Sequence, residues 1–133
     1  MKKKSLFLAL IVIMVTFIIT ACSNSEYTLK LPTDATGVTL FLNSESRTYE
    51  NAEDIENILN TIAGKERITS IESIQDAHDV TDETIKIDFI FEQGATSTLF
   101  CYRKNDQYYI EQPYNGIYEI TQDEYNDIKW LLE

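Results

Sequence analysis

The chain has 133 residues, 44% hydrophobic and 25% charged, which is enough for one compact domain and too little for two. Acidic residues outnumber basic ones by 22 to 11; Lys2, Lys3 and Lys4 precede every acidic residue, so the chain from Cys22 onward carries eight basic against 22 acidic side chains, a net of −14. A surface of that sign repels phosphate backbones and shows no basic stripe, which excludes nucleic acid as a partner.

Met1 to Ser5 is a short basic stretch, and Leu6 to Ala21 is an uncharged, mostly apolar run of 16 residues. This is the order of a secretory signal, a positive segment held on the cytoplasmic side followed by an apolar one that enters the translocation site. As a helix the run rises about 24 Å, short of the roughly 30 Å that a permanent span must cross. Cleavage is therefore expected, the alternative being an uncleaved membrane helix with an incidental cysteine. The run ends in Ile19-Thr20-Ala21-Cys22. That end resembles the lipobox of bacterial lipoproteins: an aliphatic residue, a small or β-branched one, a small one, then cysteine. The resemblance implies a diacylglyceryl thioether on the Cys22 thiol and cleavage between Ala21 and Cys22, where the small Ala21 fits a narrow peptidase subsite. Two acyl chains hold a protein stably on a membrane, because each buried CH₂ contributes about 0.8 kcal/mol and one chain alone is marginal. The expected location is the extracytoplasmic face of the cell membrane, with residues 1–21 a signal peptide, 22–26 a short tether and 27–133 one domain.

Fully extended, Ser23 to Glu26 reach about 14 Å, so the domain stays close to the headgroups. Tyr27, Leu29 and Leu31 in "YTLKL", and Val38, Leu40 and Leu42 in "GVTLFLN", recur at period two. They predict two strands joined by a turn or short loop over Pro32 to Gly37. From Asn51 to Ala63 the period changes. Ile55, Ile58, Leu59 and Ile62 form one helical stripe, Asn51 is a candidate N-cap, Glu53, Asp54 and Glu56 complement the dipole, and Gly64 with Lys65 ends the helix. A strand is expected near Arg67 to Ser73, then a polar loop, "QDAHDVTDE". "TIKIDFIF" sets Ile85, Ile87, Phe89 and Phe91 opposite Lys86 and Asp88, and Gln93-Gly94 turns it into a partner over Thr96 to Arg103. In that partner Cys101 alternates with Leu99 and reads as a small buried hydrophobe. Asn105-Asp106 makes the next turn, Gln107 to Gln112 the next strand, and Ile117 to Ile120 the last. Thr121 and Glu124 then form a capping box, with Ile120 placed to staple onto Tyr125, and Tyr125, Ile128 and Leu132 share a stripe. This order predicts an α+β fold: an antiparallel sheet of five to six strands with two helices packed against it.

Six of the eight tyrosines, at 102, 108, 109, 114, 118 and 125, fall in one quarter of the chain. Alternation sends some inward to the core. Outward Tyr109 and Tyr114, with Glu111, Gln112, Pro113, Asn115 and Tyr118, would form an amphipathic contact patch; ordinary strand residues and a turn are the competing reading. The stretch "YYIEQPYNGIYEI", together with "KLP" at 30–32 and "SIQD" at 73–76, resembles a family of small Gram-positive lipoproteins and secreted proteins whose domain has no assigned function. The resemblance spans most of residues 27 to 133 and implies no catalytic residue.

Enzyme signatures are sparse. The chain has one histidine, His78, near Asp76 and Asp79, and no nucleophile elbow, paired-cysteine, zinc-protease or phosphate-loop motif. Asp76, Asp79, Asp82 and Glu83 depart from EF-hand spacing, so no metal is expected. Asp88 and Glu111 would serve as an acid and base only in a shared cleft. About 110 mature residues cannot build the two lobes of a solute receptor. The leading expectation is a lipid-anchored binding module with an envelope protein or peptide partner, without cofactor and not an enzyme; a small hydrolase or metal-dependent enzyme around His78 is the alternative.

Overall fold

A strand buried on one face places alternate residues inward, and the structure, a computed structural model, follows that alternation through a six-stranded antiparallel sheet. It describes residues 27–63, 68–69, 72–73 and 81–133. The elements are β1 (Tyr27–Thr28), β2 (Gly37–Leu42), β3 (Glu45–Tyr49), α1 (Ala52–Ala63), β4 (Ile68–Thr69), β5 (Ile85–Ile90), β6 (Thr96–Lys104), β7 (Gln107–Gln112), β8 (Gly116–Ile120) and α2 (Gln122–Trp130). The main sheet has the order β3-β2-β5-β6-β7-β8, while β1 and β4 form a separate pair. Ala21, Cys22, Asp76, His78 and Asp79 lie outside the described residues.

Val38, Leu40, Ile85, Ile87, Phe89, Leu99, Cys101, Ile110 and Ile120 line one face of the sheet, and Ile55, Ile58 and Ile62 of α1 with Tyr125 and Ile128 of α2 close over it as one core. Both helices thus cover the same face, the α+β arrangement. Asn51 caps α1 as expected, its Oδ1 accepting from Glu53 N at 2.9 Å. The capping box of α2 is complete: Glu124 N donates to Thr121 Oγ1 at 3.2 Å and Thr121 N to Glu124 Oε2 at 2.7 Å. Asn105 and Asp106 both hold positive φ, 52° and 63°, which a two-residue hairpin turn of this hand requires.

Two features depart from expectation. Glu45–Tyr49 is a strand the apolar pattern does not announce, because it is an edge strand with Glu45 to Thr48 exposed and no alternation to detect. The predicted strand over Tyr27 to Leu31 shrinks to Tyr27–Thr28 and pairs with β4 outside the main sheet. Leu29 and Leu31 instead pack against the core, and the main chain of Lys30 between them bonds to a side chain, that of Gln112.

Since β3, β5 and β7 run in one direction, their last residues, Tyr49, Ile90 and Gln112, mark one end of the sheet. The 31–36 loop reaches that end, where Thr36 N donates to Ile90 O at 2.8 Å. Helix α2 does too: Tyr49 Oη donates to Leu131 O at 2.6 Å.

Candidate contact surfaces

The tyrosine-rich stretch does not form the single outward patch expected of it. Strand alternation puts Gln112 and Tyr118 on the face of Ile110, and Glu111 on the opposite face beside Phe100. All three are buried. The Gln112 carboxamide substitutes for a neighbouring strand: Nε2 donates to Lys30 O at 2.8 Å, and Oε1 accepts from Lys30 N at 2.9 Å and from Asn115 Nδ2 at 2.8 Å. Asn115 Nδ2 also donates to Tyr118 Oη at 2.6 Å. Burial pushes the Tyr118 phenol up to about 12.

On the other face Glu111 accepts a hydrogen bond from Ser73 Oγ at 2.6 Å and another from Tyr102. Burial first, then the Glu111 charge, raises the Tyr102 phenol. Tyr109 is half-buried with its ring 5.7 Å from that of Tyr102. Asp88 and Glu111 have separate partners: Asp88 accepts from Lys86 Nζ at 2.6 Å and from Thr98 Oγ1 at 2.7 Å. Among the described residues no group of three His, Cys, Asp or Glu gathers to hold a metal. Of the acidic loop residues, Glu83 is paired with Arg103 at 3.9 Å.

What remains outward is the turn. Pro113 and Asn115 are half-buried, and Tyr114 stands exposed with φ at 58°. Among the described residues the other non-glycine residues of positive φ are asparagine or aspartate, which tolerate that region; a tyrosine does not, at a cost of about 1–2 kcal/mol. The Tyr114→Gly variant relieves this strain but adds freedom to the unfolded chain, so stability is expected to rise by up to about 1 kcal/mol. Urea denaturation checks this; a clear loss would mean that the ring itself holds the turn.

A second surface escaped the sequence reading. Between the 31–36 loop and α1 lies an open cleft of about 670 Å³, lined along the helix from Ala52 to Asn60. Ala35, Ile55 and Leu59 provide its apolar floor, and Glu50, Glu56 and Asn60 are exposed on its rim. Ile55 and Leu59 belong to the stripe that announced the helix, but a stripe does not say that one of its edges is left uncovered.

A solved NMR structure of a protein from Ruminococcus gnavus is similar, with a TM-score of 0.58 and 29% sequence identity over 73% of this chain and 98% of that one. No curated protein matches the chain. A family model described as a domain of unknown function (DUF5300) matches residues 23–119, which include α1 and the main sheet except for Ile120, the last residue of β8. With that match over more than half its length, the chain belongs to this family, DUF5301.

Proposed function

We propose that the protein is a lipid-anchored binding module on the extracytoplasmic face of a bacterial membrane, taking a peptide segment of an envelope protein in the cleft beside α1. The observation that carries this reading is the cleft itself. Its volume of about 670 Å³ lies within the range of ligand pockets, and an apolar floor under a polar rim is their usual composition. The lining includes two carboxylates, Glu50 and Glu56, and no basic residue, so it complements a segment that carries a cationic side chain beside an aliphatic one. Anchoring is supported by Ile19-Thr20-Ala21-Cys22 at the end of the apolar run, and by a family match that begins at residue 23, directly after Cys22.

The test places a photo-cross-linking amino acid at Asn60, on the cleft rim, or at Asp127, exposed on α2, in the full-length protein in cells. A discrete adduct is expected at Asn60 and not at Asp127, in the membrane fraction, and the Cys22→Ser variant is expected to move the protein out of that fraction. Reversing Glu50 and Glu56 to lysine should reduce the adduct roughly tenfold. Equal adducts at both positions, or indifference to the charge reversal, would remove the cleft as the binding site.

A further inference from the structure

Tyr114 and Trp130 are the large apolar side chains left exposed among the described residues, each 66% accessible. Both belong to the end of the sheet marked by Tyr49, Ile90 and Gln112. Tyr114 projects from the turn that follows β7, and Trp130 immediately precedes Leu131, whose carbonyl is held by Tyr49. The chain enters the domain close by. Lys30 is clamped to Gln112 through its main chain, and Cys22 lies eight residues earlier, which places it at most about 28 Å away along the chain.

From this arrangement we infer that this end of the domain rests on the lipid surface, with Tyr114 and Trp130 seated among the headgroups. The inference rests on the Cys22 anchor proposed above and adds an orientation to it. A bilayer tethered at most about 28 Å from the clamp meets the nearest end of the domain first. Tyrosine and tryptophan are the side chains that favour the headgroup layer, where the ring is sheltered and its polar group stays wet. The backbone at Tyr114 is the second sign. A bulky residue held at positive φ, with its ring turned to solvent, is strain maintained by the surrounding Gln112 and Asn115 bonds, and strain of that kind gathers at contact sites. Asp34, Glu50, Glu92 and Glu133 outnumber Lys30, Lys129 and Arg47, which lies over the Tyr49 ring, around this end, so the surface it suits is zwitterionic and anionic lipid weakens the seating.

Trp130 is the only tryptophan of the chain, which makes it a single-site reporter. The mature lipidated protein is reconstituted in phosphatidylcholine vesicles whose acyl chains carry bromine near the headgroup. Trp130 emission is expected to be quenched by roughly half relative to unbrominated vesicles. The quenching should fall about twofold when phosphatidylglycerol is mixed in, and also in the Tyr114→Gly variant, which keeps the turn and removes the ring. Protein that floats with the vesicles yet shows no bromine quenching overturns the orientation and leaves the anchor standing. Trp130 shielded from aqueous quenchers but not reached by bromine overturns it too, pointing to a protein or a second copy over this end. Protein that does not float, with Cys22 unmodified by mass spectrometry, overturns the anchor and the orientation with it.

Discussion

Glu111→Ala is expected to lower stability by about 3 kcal/mol, or the melting temperature by roughly 15 °C, with the measurement made by urea and thermal denaturation. The carboxylate is 3% exposed and accepts from Ser73 and Tyr102, which are 2% and 5% exposed. Alanine leaves two buried hydroxyls without this acceptor, and each orphaned donor costs about 1–3 kcal/mol. Glu111→Gln keeps a carbonyl oxygen and should lose only about 1 kcal/mol. A triple variant, Glu111→Leu with Ser73→Ala and Tyr102→Phe, should recover most of the loss, because removing all the polar partners of a buried cluster is close to neutral. If the triple variant is no more stable than the alanine variant, the cost lies in packing and not in unmet hydrogen bonds. Ser73 is bonded to the sheet through this contact, so amide exchange at Glu72 and Ser73 should also quicken in the alanine variant.

The second large effect is alkaline. Burial pushes the Tyr118 and Tyr125 phenols up to about 12, with the Glu83 charge adding to the effect at Tyr125, and raises Tyr102 as well. An ordinary tyrosine loses its proton near 10. Between those values the unfolded chain binds fewer protons than the folded one, so stability falls as pH rises. Their contribution is fully present below pH 10 and is lost through about 12. The slope is at most about 1.4 kcal/mol per pH unit for each phenol. Thermal denaturation across this window should show a steep fall, with late phenolate absorbance appearing together with unfolding. The Tyr125→Phe variant should flatten the slope by about a third, while giving up the bond from Tyr125 Oη to Glu83 O at 2.7 Å. A melting temperature that stays level from pH 10 to 12 would show that these phenols ionise without leaving the fold.

The fold was legible wherever its cause is local. The stripe Ile55, Ile58 and Ile62, the Asn51 cap, the Thr121 and Glu124 box, and the alternation through Ile85, Ile87 and Phe89 each depend on neighbours a few residues away, and each is found where the residues imply. The sequence by itself also determined the excess of acidic over basic side chains and the order of a basic stretch followed by an apolar run, which are matters of composition and order.

The contact surfaces were decided only by the tertiary structure. Alternation says which face of β7 each side chain takes, but not what lies over that face. Gln112 is buried because Lys30, 82 residues away, supplies a main chain for its amide, and Glu111 because Ser73, 38 residues away, comes down on it. The cleft beside α1 is likewise made by a loop and a helix meeting across the chain. Hydrogen bonds and burial over such separations depend on which segments the completed core brings together, and that is fixed by packing over the whole domain rather than by any local period.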